Sequence, residues 1–203
     1  MSSKEYERKF KQYGLTWIIH SVNYREFIQA LNRNLTNENI LKLAADNNST
    51  EYNSELVLIF RHFHNYFSSY LSLTDHTRVL YRELYEPLNL LSEYQDKVDN
   101  YFKNHKLSIF IKELRQYIQH YKLPYLTSQI KRNKSFGGFN PHLLIEVEDL
   151  LEFSGWKKHS REFIGENPDG VDLPLVVKTH FNHTAEFYHW FFKAQLELKN
   201  KFN

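Results

Sequence analysis

Between Glu51 and Leu84 the chain runs for 34 residues without a glycine or a proline. Along that run Leu56, Ile59, Phe60, Phe63, Phe67, Tyr70 and Leu71, then Val79, Leu80 and Leu84, recur at steps of three and four. This spacing keeps apolar side chains on one side of an α-helix, and 34 residues of helix are about 50 Å long. An apolar stripe of that length must be covered by other elements of comparable length, so the run predicts a helical bundle. The polar stretch Asp46-Asn47-Asn48-Ser49-Thr50 just before it supplies a turn and an N-cap.

Other segments read as partners for that helix. From Asn23 to about Ala45, Phe27, Ile28, Leu31, Leu35, Ile40, Leu41 and Leu43 predict two short helices, or one helix broken by the Asn/Thr cluster at 33–38. Pro87 interrupts the pattern, and Leu90, Leu91, Tyr94, Val98 and Phe102 resume it. Leu107, Phe110, Ile111, Leu114, Tyr117, Ile118 and Tyr121 then form a clean stripe that stops before Leu123-Pro124. After it, Tyr125 to Ile130 suits a short strand, Gly137-Gly138 a hairpin tip, Val147 to Phe153 a short helix, and Asn167-Pro168-Asp169-Gly170 a turn. Leu173 to about Lys199 reads as a final amphipathic helix. The expected architecture is mainly all-α: four to five long helices with a small β-hairpin or α+β appendage after residue 124. Within one domain of residues 1–203, 1–124 form the bundle core, 125–170 a loop or hairpin insertion, and 171–203 a helix packing on the bundle.

Composition narrows the function classes. With no cysteine the chain has no disulfide, no thiolate metal site and no cysteine nucleophile. Its 16 Phe, 14 Tyr and 3 Trp are far more ring area than a disordered chain carries. The charged start MSSKEYERKFKQYG is unlike a secretory signal, and no run of about 18 apolar residues occurs, so neither secretion nor a membrane span is expected and the cytoplasm is the expected compartment. A net charge of +2 leaves the partner open. The motifs GxxxxGK[ST], GxGxxG, GxSxG and HExxH are all absent.

One constellation carries chemistry. In the stripe of residues 106–121, RQYIQH sets Arg115 and His120 five positions apart. With Leu114 at the centre of the apolar face, Arg115 falls at about +100° and His120 at about −120°, so they border opposite edges of that face. Lys112, Gln116 and Gln119 occupy the polar arc between them, where a phosphate would meet a cation, amide donors and an imidazole. His120 also sits in the last turn, where the negative end of the helix dipole favours imidazolium. Such a group can take and return a proton during cleavage of RNA by its own 2′-hydroxyl, with Arg115 offsetting the charge on phosphorus. That chemistry needs no metal or other cofactor.

Arg, four to six residues, then His, late in a core helix of an all-helical bundle, resembles the HEPN superfamily of ribonucleases and their inactive relatives; the resemblance covers roughly residues 51–121. It implies a metal-independent endoribonuclease whose site is built at a homodimer interface from two copies of the motif, often in toxin–antitoxin pairs or phage-defence systems with a protein partner. Arg115 and His120 match the motif, with Gln116 and Gln119 auxiliary; Gln116 stands where most such motifs have Asn, Asp or His. The rival expectation is a noncatalytic helical interaction protein, the regulatory or antitoxin-like member of a complex.

Two further groups have two readings each. Lys131, Arg132 and Lys134 precede Phe136-Gly137-Gly138-Phe139, a pairing of cations and rings that suits single-stranded RNA and equally a solvated hairpin with its rings folded onto the bundle. Lys157, Lys158 and Arg161 beside Trp156 share that ambiguity. His180, His183, Glu186 and His189 follow at steps of three, but such a series drifts about 60° per step, so all four cannot face one metal ion, and the rings around them read as packing surface.

Overall fold

The computed structural model describes residues 3–34, 54–132 and 139–202. Four helices of bundle size dominate: α1 (Ser3–Asn34), α2 (Ser54–Leu84), α4 (Lys106–His120) and α7 (Leu173–Phe202). Between them lie the short α3 (Tyr94–Val98), which runs on as a π-helical turn over Asp99–Lys103, then α5 (Val147–Leu151) and α6 (Lys158–Gly165). Strands β1 (Leu126–Arg132), β2 (Phe139–Ile145) and β3 (Val171–Asp172) form one antiparallel sheet in the order β1-β2-β3. The fold is thus mainly helical with a small antiparallel sheet beyond residue 124.

Side-chain pairs give the helix directions. Lys9 reaches Glu83 at 2.6 Å, Thr16 reaches His76 at 3.0 Å, His20 reaches Ser69 at 3.1 Å, and Phe27 meets Phe63. The paired numbers run in opposite senses, so α1 and α2 are antiparallel. Phe10 meets Phe192, Tyr13 meets Tyr188, and Tyr24 stacks on Phe181 at 3.7 Å and 1°, so α7 also runs antiparallel to α1. Tyr66 with His180 and Tyr85 with Gln195 show α7 parallel to α2. Of the predicted stripe of α2, Ile59, Phe63, Phe67, Tyr70, Leu80 and Leu84 are buried and Leu56, Phe60 and Leu71 partly buried, whereas Val79 is 47% exposed.

The N-terminal half of α1 is helical where the sequence offers little apolar periodicity, and there the polarity is inverted. Thr16 and His20 are buried, whereas Leu15, Ile18 and Ile19 are 58%, 55% and 56% exposed. The pattern at 35–45, expected to continue as helix, lies outside the described residues, as does the Gly137-Gly138 tip. After Pro87 the chain does not resume a long helix. Asn89 and Leu91 adopt positive φ (both 56°), ending a 3₁₀ turn over Glu86–Leu88, and only Tyr94–Lys103 is helical. A left-handed residue cannot propagate a right-handed helix, so the apolar spacing of Leu90 and Leu91 serves packing on the second core cluster instead.

Residues beyond Tyr125 share the main core. Leu126, Leu143, Ile145, Leu150, Trp156 and Ile164 belong to the same cluster of buried residues as Phe63, Phe110 and Leu114. The turn that returns the chain to β3 depends on Gly170, whose φ is +118° and where an added Cβ would stand 2.9 Å from the Cβ of Leu144. Gly170→Ala is therefore expected to destabilise by about 1–3 kcal/mol, read as a lower urea midpoint at unchanged slope.

Candidate active site

The helix bearing Arg115 and His120 is held at both ends. At its start His105 Nδ1 lies 3.1 Å from Ser108 Oγ, and Ser108 donates to the Tyr101 carbonyl at 2.9 Å, so its lone pair is left to accept the histidine N–H. The His105 ring stacks on His183 at 3.7 Å, and burial, then the neighbouring His183, lowers its pKa. At the other end Asp149 of α5 accepts from Tyr117 Oη and from the backbone N–H of Tyr125, each at 2.8 Å. Lys122 reaches Asp149 at 2.6 Å and Glu152 at 2.5 Å. Burial would push the Asp149 carboxyl up, but these donors outweigh it and hold its pKa below the ordinary value. The clamp fixes the chain immediately after His120.

Between these anchors Leu107, Phe110, Ile111, Leu114 and Tyr117 face the core. Arg115 is half-buried at the edge of that face; its Nε is shielded from solvent with no hydrogen-bond partner, and its guanidinium makes no ion pair with a described residue. His120, the last residue of α4, is exposed; Gln116 is exposed and Gln119 half-buried. Five helical positions separate Arg115 from His120 by about 7.5 Å along the axis and about 140° around it. They flank one polar arc, and neither lines any of the clefts described below.

The basic hairpin residues lie elsewhere. Lys131 and Arg132 stand opposite Asn140 and Phe139 at the far end of β1, about 20 Å along the strand from Leu126, where the chain enters the sheet after α4. Lys134 lies outside the described residues. In the second basic group Arg161 donates to the carbonyls of Trp156 and Ser154, and the Lys157 backbone N–H donates to the buried carboxylate of Glu113, while the side chains of Lys157 and Lys158 are largely exposed, at 3.9 Å from Glu113 and Glu162.

The histidines of α7 diverge, as their spacing requires. His180 is buried against Tyr66 Oη at 2.7 Å, His183 contacts the Tyr101 carbonyl at 3.0 Å, and His189 is exposed against the edge of Trp17. Among the described residues no group of three or more His, Asp or Glu is placed to hold a metal ion, and no helix is long and apolar enough to cross a membrane.

Sequence reading passed over a pair that the sheet creates. His142 of β2 contacts Asp172 of β3 at 2.6 Å (Nδ1 to Oδ2), at the rim of a cleft of about 490 Å³ between α1 and α7. The two are 30 positions apart and meet because β3 pairs with β2 in the register Leu144↔Asp172, two positions from His142 on the same strand. No local motif announces such a pair. A smaller cleft of about 270 Å³ lies by Thr127, Gln129 and Glu146, and a third of about 450 Å³ runs between α1 and α2 at Lys9, His76 and Glu83. No family model, curated protein or solved structure matches the chain.

Proposed function

We propose that this protein is a metal-independent endoribonuclease of the HEPN kind, acting in the cytoplasm as a homodimer within a toxin–antitoxin or phage-defence system. The observation that carries the reading is the half-buried guanidinium of Arg115, unpaired among the described residues and about 1.4 turns from an exposed imidazole on a helix anchored at both ends. An unpaired cation at the edge of a core is costly, and a phosphate between its N–H groups would neutralise it. His120 then removes the proton of the ribose 2′-hydroxyl. The oxygen attacks the adjacent phosphorus, the bond to the 5′-oxygen breaks, and the proton is returned to that leaving oxygen, giving a 2′,3′-cyclic phosphate and a 5′-hydroxyl. Because Arg115 and His120 diverge around the helix, a second copy of the motif completes the site. In this reading Lys131, Arg132 and Lys134 are the further RNA-binding residues.

The test is cleavage of a mixed RNA pool by the purified protein in excess chelator. Wild type is expected to leave cyclic phosphate ends, and His120→Ala and Arg115→Ala to lose at least about 100-fold in rate. Cleavage that is equal in wild type and His120→Ala, or absent in wild type, would overturn the assignment.

A second reading, a noncatalytic interaction protein, is favoured by the exposed stripe Leu15, Ile18 and Ile19, contiguous on one side of α1. Under it Arg115→Ala and His120→Ala would spare biological activity, and Ile18→Asp would remove it.

A further inference from the structure

The cleft at the His142–Asp172 pair is built from three elements that the fold brings to one place. Tyr24, Ile28 and Asn32 line it from α1 at steps of four, so they stand in a row along one side of that helix. His142 enters from β2, and Pro174 and Lys178, again four apart, close it from the first turns of α7. Leu175, 61% exposed, and Pro141 complete an apolar wall.

The polar groups are unevenly balanced. Among the described residues Asp172 is the only carboxylate lining the cleft, and both its oxygens are engaged: Oδ2 by His142, and Oδ1 by the Leu175 N–H at 2.9 Å, as the N-cap of α7. With Nδ1 of His142 held by that carboxylate, Nε2 points to the opposite side of the ring and has no hydrogen bond to a described residue. Lys178 is exposed and likewise has no ion pair among the described residues. The Tyr24 ring is pinned flat against Phe181, and burial raises its pKa, so its hydroxyl is a protonated donor at neutral pH. Among the described residues the cleft therefore offers the ammonium of Lys178 as a fixed positive charge, an oriented imidazole whose Nε2 accepts in the neutral ring and donates in the imidazolium, and a phenol and an amide that each donate and accept, beside an apolar wall. The ammonium favours an anion, and the apolar wall selects a ligand with more body than the anion alone.

We propose that this cleft binds a small phosphorylated ligand with an aromatic or apolar body, of nucleoside monophosphate size. The phosphate sits on Lys178 beside His142 Nε2, which accepts from a phosphate O–H or, as imidazolium, donates to a phosphate oxygen, and the body lies against Ile28, Pro174 and Leu175. Asp172 is a positioning residue that fixes the imidazole and caps the helix bearing Lys178. The site uses none of the groups assigned to RNA cleavage and stands or falls independently of them.

Titration of the full-length protein with AMP, followed by calorimetry and by ligand-observed NMR, tests it, with adenosine, glucose 6-phosphate and inorganic phosphate as comparators. AMP is expected to bind with a Kd of about 1 mM or tighter, and phosphate and glucose 6-phosphate at least tenfold more weakly. Lys178→Ala changes an exposed side chain without an ion pair among the described residues, so it is expected to fold normally. It should weaken AMP at least tenfold while leaving adenosine within twofold, and Arg115→Ala should leave AMP binding unchanged. No AMP binding at 5 mM, Lys178→Ala within twofold of wild type, loss of AMP binding in Arg115→Ala, or glucose 6-phosphate binding as well as AMP would each overturn the proposal.

Discussion

Lowering the pH from 7.5 to 5 is expected to remove at least about 2 kcal/mol of folding free energy through two histidines in the bundle core. His20 and His180 are both fully buried. Burial lowers the pKa of His20 to about 3; for His180 burial, then the neighbouring His20, His183 and His105, holds it well below the ordinary value. Their hydrogen bonds are to hydroxyls, not to carboxylates that would stabilise a charge. Ser69 Oγ donates to the Tyr66 carbonyl at 2.9 Å and so accepts from His20 Nδ1–H, while His180 Nδ1 pairs with Tyr66 Oη. The Nε2 atom of each ring is buried without a partner.

The direction follows from proton counts. Below about pH 6.5 the unfolded chain protonates these two side chains and the folded protein does not, so the unfolded state binds more protons and stability falls as pH falls. His20 accounts for a loss of about 2 kcal/mol by pH 5 and about 1.4 kcal/mol for every further unit until its folded-state pKa is reached, and His180 acts in the same direction. Well above pH 6.5 none of this loss is present. His62 and His105, lowered chiefly by burial, act in the same direction. Urea midpoints at pH 7.5, 6 and 5 measure the effect, and His20→Gln should remove about half the slope. A midpoint flat across that range would mean that the two rings are hydrated or charged in the folded protein. With a total stability typically of about 5–15 kcal/mol, the loss is enough to bring the chain close to unfolding near pH 4.

These histidines also explain why the two halves of the bundle were unequally legible in the sequence. The stripe of α2 and that of α4 announce themselves because leucine, isoleucine, phenylalanine and tyrosine hold most of their buried positions, although α2 also buries His62, Ser69 and Thr77 and α4 buries Ser108 and Glu113. The first half of α1 buries Thr16 and His20 and exposes Leu15, Ile18 and Ile19, so hydrophobic periodicity points to the wrong side of the helix there. What makes those polar side chains tolerable is supplied from distant positions: Ser69 for His20, and His76, 3.0 Å from the Thr16 hydroxyl. The same limit applies to the sites. The edge position of Arg115 on α4 follows from counting along one helix, whereas the His142–Asp172 contact depends on a strand register that only the assembled sheet defines. The eight-residue α6 was missed because its apolar content, Phe163 and Ile164, is too short to show a period.

Phe110→Ala is expected to cost about 3–5 kcal/mol, and the way that loss is distributed tests how the segment after residue 124 is joined to the bundle. Phe110 is completely buried on α4, stacked on Phe163 of α6 at 4.6 Å and on Trp156 at 5.6 Å. Trp156, 4% exposed, donates to the Leu150 carbonyl at 2.6 Å and lies against Tyr117 and Phe153. One ring on the central helix therefore holds both short helices of the later segment, and deleting it opens a cavity that rigid neighbours on three elements cannot collapse to fill. If the segment shares its core with the bundle, urea unfolding followed by helical circular dichroism and by tryptophan fluorescence should give one midpoint, lowered equally in both signals. An early fluorescence transition at an unchanged circular dichroism midpoint would instead make residues 125–170 a separately melting layer. The Asp149 clamp that steadies the end of α4 beside His120 would then be lost with that layer, so a single midpoint is also what keeps the proposed active site assembled up to global unfolding.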